Sequence, residues 1–212
     1  MSDLGFVHRF EPGNSSRTLL LLHGTGGNED DLLELGHAID PEAALLSPRG
    51  KVLEHGAPRF FRRFAEGVFD EADVIQRAHE LSDFVHAAAE AYGINLQELT
   101  AVGYSNGANI TAAMMLLGQA AFSRAILFRP MVPLSQLEAE PDLSGTHALL
   151  AAGEFDPIAR AAIVQALAKL FRQYGAEVTI QIRSSGHELT PEDVTAASNW
   201  LTALAVIPQK GL

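Results

Sequence analysis

The chain contains no cysteine, which removes disulfide cross-links and any thiol nucleophile. Neither a secreted disulfide scaffold nor a cysteine hydrolase is available to it. Basic residues are scarce as well, with 15 Lys and Arg against 26 Asp and Glu for a formal charge of −11. A surface so rich in carboxylates repels nucleic acid and anionic membranes, and neutral or amphiphilic small molecules are the better-matched partners. Long apolar runs are also missing. A stretch such as Leu19-Leu20-Leu21-Leu22 falls far short of the roughly 20 residues needed to span a bilayer, so no integral membrane association is expected. Asp3 lies early in an N-terminus that has no basic start and no long apolar stretch, which is not the pattern of a targeting segment. A cytoplasmic location is the expectation.

What the sequence does have is enough apolar material, 47% of 212 residues, to bury a sizeable core in one domain over 1–212. Short strand-like runs alternate with longer helical ones, the pattern of a mostly parallel sheet flanked by helices. Strands are predicted over 6–10, 17–22, 43–46, 99–103, 123–128, 147–152 and 177–182. Helices are predicted over 28–38, 72–92, 106–117, 157–174 and 191–204, with a Pro-rich loop over 129–144.

In such a sheet, ligands collect where the carboxyl ends of the strands meet the following loops. The chemistry-bearing residues fall at those ends. Gly103-Tyr104-Ser105-Asn106-Gly107 joins a short apolar strand to a small-residue helix, the setting of a nucleophile elbow. There a serine is held in a strained turn with its hydroxyl exposed, and the flanking glycines let strand and helix approach. In this arrangement the acid and then the base follow the nucleophile along the chain. Of the two later histidines, His147 begins an apolar strand and His187 ends a Gly-containing loop, so His187 is the better base by position. Asp156 is the leading acid, at a strand end where it also suits a helix N-cap, and Glu154 is second. His23-Gly24-Thr25-Gly26-Gly27 can aim backbone amides into the cleft, which assigns the amides of Thr25 and Asn106 to an oxyanion hole. The competing phosphate-binding reading of this loop has neither Gly-x-Gly-x-x-Gly nor a Walker lysine behind it. His23 itself reads as a histidine that holds its loop by hydrogen bonds. A zinc motif starting at His187-Glu188 fails because Pro191 stands where the second histidine belongs.

These stretches, with Gly153-Glu154-Phe155-Asp156-Pro157 and Gly186-His187-Glu188-Leu189-Thr190, resemble the α/β-hydrolase superfamily across nearly the whole chain. The likeness is to its small, capless phospholipase/carboxylesterase group, which includes the acyl-protein thioesterases, and especially to the bacterial predicted-esterase branch. The resemblance implies an α/β-hydrolase fold with no large cap, a Ser105, Asp156 and His187 triad, no cofactor, no metal, and hydrolysis of small carboxylic esters, thioesters or lysophospholipids. It makes a homodimer plausible. Dienelactone hydrolases are similar in fold, but they have a cysteine at the nucleophile position. Asn106 stands where thioesterase relatives often have Gln, which leaves the amide intact and changes only side-chain contacts.

Residues 58–70 resemble a segment of the same branch and form the substrate-facing candidate. Phe60, Phe61, Phe64 and Phe69 are suited to an apolar pocket, and Arg62 or Arg63 to a substrate carboxylate or phosphate. The same residues equally suit a loop packed on the core, its arginines paired with Glu66, Asp70 or Glu71. Met131, Val132 and Leu189 are further pocket candidates, with packing under a loop as their other use. A non-catalytic binder on this fold, or an acyltransferase or perhydrolase using the same triad, are the alternative functions.

Overall fold

A computed structural model of the protein describes residues 4–206, so the expected 1–212 domain extends past the described residues at both ends. Along the chain run β1 (His8–Glu11), β2 (Thr18–Leu22), α1 (Leu33–Ile39), β3 (Ala44–Pro48), β4 (Val52–Glu54), β5 (Ala57–Arg59), β6 (Arg63–Ala65) and β7 (Val68–Phe69). They are followed by α2 (Glu71–Tyr92), β8 (Leu99–Tyr104), α3 (Asn106–Leu116), β9 (Arg124–Phe128), β10 (His147–Gly153), α4 (Ala161–Gln173), β11 (Glu177–Arg183) and α5 (Pro191–Val206).

Seven strands form one sheet in the order β1-β3-β2-β8-β9-β10-β11. It is parallel except at its edge, where β1 runs antiparallel to β3. The strands are near-continuous apolar runs because both faces are covered. In β2, Leu20 and Leu22 join the core beneath α2, α3 and α4, whereas Leu19 and Leu21 join the core beneath α1 and α5. The same alternation sends Leu150 and Leu149 of β10 to opposite faces, as the period of two requires. The longest helix has clear ends. The Asp70 side chain accepts from the Asp73 N–H at the start of α2, and Gly93 closes it in the left-handed conformation at φ +70°, a position that costs glycine little.

Three expectations need correction. The helix expected over 28–38 begins only at Leu33, because the Asn28 side chain accepts the Asp30 N–H and favours a turn over a first helical turn. The helix expected from 157 begins at Ala161, since Asp156 Oδ1 accepts the N–H groups of Ile158 and Ala159 and holds those residues in a loop. The segment 58–70, expected to be either a substrate-facing stretch or a loop packed on the core, folds with the residues before it into two small antiparallel ribbons, β4-β5 and β6-β7. No described helix is long and apolar enough to cross a membrane.

Candidate active site

Ser105 stands between β8 and α3 at φ +51° and ψ −110°, a left-handed conformation unusual for a residue with a Cβ. Its neighbours explain how the turn closes. A Cβ at Gly107 would lie 1.8 Å from the Leu22 carbonyl oxygen, and one at Gly103 would lie 2.7 Å from Ala108 Cα, so both positions require glycine. The Ser105 N–H donates to the Phe128 carbonyl at 2.9 Å, which fixes the elbow to the adjacent strand.

The Ser105 hydroxyl lies 2.9 Å from His187 Nε2, and His187 Nδ1 lies 2.8 Å from Asp156 Oδ2. With the imidazole proton assigned to Nδ1, where a carboxylate accepts it, Nε2 is left as the acceptor facing the hydroxyl. Asp156 is buried, and its other oxygen takes the two loop amides noted above. The carboxylate is thus fixed on both sides. Close backbone contact also joins the Asp156 and His187 loops, since a Cβ at Gly153 would come within 2.1 Å of the Gly186 carbonyl oxygen.

Thr25 and Asn106 sit at this same place. Asn106 opens α3, so its N–H belongs to the first turn, which has no intrahelical acceptor, and the Thr25 N–H has no acceptor among the described residues. The Thr25 hydroxyl accepts from Arg59 Nη1 at 2.6 Å. Asn106 Oδ1 accepts the Phe60 N–H at 2.7 Å, while its Nδ2 is buried without a partner. His23 is buried, donates from Nδ1 to the Gly24 carbonyl and accepts the Gly50 N–H at Nε2. Burial pushes its pKa below the usual histidine value, so the ring is neutral and holds the loop.

The cleft over Ser105 has a volume of about 30 Å³, and Met131, Asn109, Arg59 and Arg63 help to line it. Beside it, sharing Thr25, lies an open groove of about 400 Å³ lined by Leu32, Tyr104 and Leu189.

Several sequence-predicted site residues lie elsewhere. Phe60 and Phe61 are buried in the main core, where aromatic area is most favourably placed, and they do not line the cleft. Arg62 points to Asp70 and Asp73, and Phe64 is 76% exposed on its ribbon. Glu154 accepts from the Ser184 hydroxyl at the surface, apart from His187. His147 opens β10, at the end of the parallel sheet opposite Ser105.

Two features escaped the sequence reading. Arg129, at the head of what read as a Pro-rich loop, is fully buried and pairs with equally buried Asp193 at 2.6 Å. It also donates to the Gly186 and Glu188 carbonyls, on either side of His187, and so ties the histidine loop to α5. Arg59, the last residue of β5, lies under Thr25 and shares Glu54 with Arg63.

Residues 11–205 match the Phospholipase/Carboxylesterase family. MhqD of Bacillus subtilis, a protein named as a hydrolase, is 46% identical over 193 residues, which cover 91% of this chain and 96% of the relative. The Bacillus cereus carboxylesterase structure is 44% identical over 94% of both chains with a TM-score of 0.91. The Mesorhizobium loti carboxylesterase structure is 34% identical over 95% of this chain and 97% of that one, with a TM-score of 0.90. A match this long, with relatives this near in sequence and backbone, means that the chain belongs to the phospholipase/carboxylesterase family and is a hydrolase acting on ester bonds.

Proposed function

We propose that the protein is a serine carboxylesterase that hydrolyses small carboxylic esters through an acyl-enzyme on Ser105. The observation that carries this reading is the unbroken chain from the Ser105 hydroxyl through His187 to Asp156, with heavy-atom separations of 2.9 and 2.8 Å. Ser105 Oγ attacks the ester carbonyl as His187 Nε2 takes its proton, and Asp156 holds the imidazole and stabilises the imidazolium. The amide N–H groups of Thr25 and Asn106 receive the developing oxyanion, and such donors are worth most where they are fixed before the reaction begins. His187 returns the proton to the leaving alcohol. Water, deprotonated by His187, then attacks the acyl-enzyme and releases the acid, restoring Ser105.

The cleft beside Ser105, at about 30 Å³, is far smaller than the neighbouring groove of about 400 Å³. That favours short esters over the long chains of lysophospholipids, and the groove past Thr25 supplies the room for the larger portion of the substrate. The test is hydrolysis of a short p-nitrophenyl ester. Ser105→Ala should lower kcat by several orders of magnitude, to a residue of at most about 10³ to 10⁴ over water, and abolish labelling by a fluorophosphonate. Near-normal turnover in that variant overturns the proposal.

A further inference from the structure

The protein carries a charge of −11, yet the cleft beside Ser105 is lined by Arg59, Arg63 and Arg129. Arg129 is neutralised by Asp193. The other two share a single carboxylate, Glu54, at 3.2 and 2.9 Å. The Arg63 guanidinium, by hydrogen bonding, and the nearby Arg59 charge hold the Glu54 carboxyl below its usual pKa, so it stays ionised. Two cations with one anion leave one positive charge uncompensated. Glu66 also lines the cleft, but it is exposed on the turn between β6 and β7, where water screens it more than it screens buried Arg59.

The donors point the same way. Arg59 uses Nε on the Phe61 carbonyl and Nη1 on Thr25 and Glu54, which leaves Nη2 without an acceptor among the described residues. Arg63 uses only Nε, on Glu54, so both its terminal amino groups are unengaged among the described residues. A pair of guanidinium groups with unused planar donors matches a carboxylate, which accepts two N–H bonds in parallel. Burial and the neighbouring Arg63 already lower the pKa of Arg59, so an incoming anion relieves a cost that the free protein bears.

We propose that the natural substrate is an ester carrying a carboxylate a few bonds from the scissile carbonyl, such as a monoester of a short dicarboxylic acid, with the carboxylate held by Arg63 and Arg59. Arg59 and Arg63 line the same cleft as Ser105 and His187, which sets the short spacing. This rests on the reading of Ser105 as the nucleophile, and it reverses the preference for neutral substrates that net charge alone suggests.

The test compares kcat/KM for monoethyl succinate and ethyl succinamate, which differ only in carboxylate against amide. The wild-type protein should prefer the acid by about tenfold or more, the order of one charge-assisted hydrogen bond, and the preference should shrink as salt rises from 0.05 to 0.5 M. Arg63→Gln should bring the ratio close to one. Glu66→Gln, at an exposed position, should raise it, and this keeps the idea testable if Arg63→Gln does not fold. Arg62→Gln, whose partners are Asp70 and Asp73, should leave the ratio unchanged. Equal turnover of both esters overturns the anion inference while the esterase reading stands, and so does fluorophosphonate labelling without turnover of either ester. Absence of both labelling and turnover strikes the esterase reading itself, and this inference with it.

Discussion

The strand ends that carry Ser105, Asp156 and His187 and the ribbons at 52–69 face each other across one small cleft, but they are held in different ways. At the strand ends, backbone touches backbone. Gly107 lies against the Leu22 carbonyl and Gly153 against Gly186, while buried Arg129 clamps the His187 loop. The ribbons are two and three residues per strand; apart from the close approach of Gly50 to the Arg59 backbone at their base, charged side chains tie them together, with Glu54 bridging Arg59 and Arg63 and Arg62 reaching Asp70 and Asp73. Leu53, Phe64 and Val68 are left exposed on them. Steric contact fixes position to tenths of an ångström, which proton transfer needs. Charge contacts tolerate small shifts, which suits the ligand-selecting role proposed for that side of the cleft.

Substitutions can break that contrast, and the largest effect belongs to the strand ends. Asp156→Asn should lower kcat by about 10⁴, because the imidazole would lose its orienting carboxylate and with it the useful tautomer. A loss under tenfold on a neutral p-nitrophenyl ester would remove Asp156 from the relay. Next comes the clamp. Arg129→Met leaves Asp193 buried and unpaired, which costs about 3–5 kcal/mol in urea unfolding, whereas the double variant Arg129→Met/Asp193→Leu should recover much of it. If the single change costs no more than a surface substitution, the clamp is not what holds the loop.

His23 joins the two regions, because it directly follows β2 and accepts the Gly50 N–H at the root of the ribbons. Its folded pKa is lowered by burial, so the unfolded chain takes up the proton first. Below an unfolded value of about 6.5 the unfolded state binds more protons, and stability falls as pH falls. Between pH 7.5 and 5.5 the urea midpoint should fall, and His23→Gln should flatten that limb. The smallest effect belongs to the ribbon surface. Phe64→Ser should change stability by no more than about 0.5 kcal/mol, and a larger loss would mean that the ribbon packs as tightly as the strand ends.

The same contrast governs what could be read from the sequence. Strand-end chemistry is local. A glycine on either side of Ser105, small residues behind it and an acid and histidine in order downstream are all short-range signals, and each strand announces itself by an unbroken apolar run. The ribbons announce little. In Phe60-Phe61-Arg62-Arg63-Phe64, which arginine meets the cleft depends on where the turn between β5 and β6 falls, which composition does not carry. Phe60 and Phe61 look alike as pocket or core, and packing decided for the core. Arg129 was hidden for another reason, since its partner Asp193 is 64 residues away and nothing near Arg129 signals a buried cation. The late start of α4 was obscured because a single carboxylate, Asp156, both meets His187 and captures the amides of the following turn.

Tyr104 and Phe128 are register partners on β8 and β9, so the residues that follow them, Ser105 and Arg129, end neighbouring strands on one row of the sheet. Both are left-handed, at φ +51° and +55°, and each such non-glycine residue costs on the order of 1–3 kcal/mol. Of the three non-glycine residues with positive φ among the described residues, two therefore lie on the row from which the Ser105 hydroxyl and the buried Arg129 guanidinium emerge, and the third, His55, lies between β4 and β5. A glycine at 129 would relax that backbone and in the same stroke delete the guanidinium that fastens the histidine loop. Selection for greater thermal endurance therefore has little to gain on this row, and stabilising changes should accumulate on other parts of the sheet and its helices.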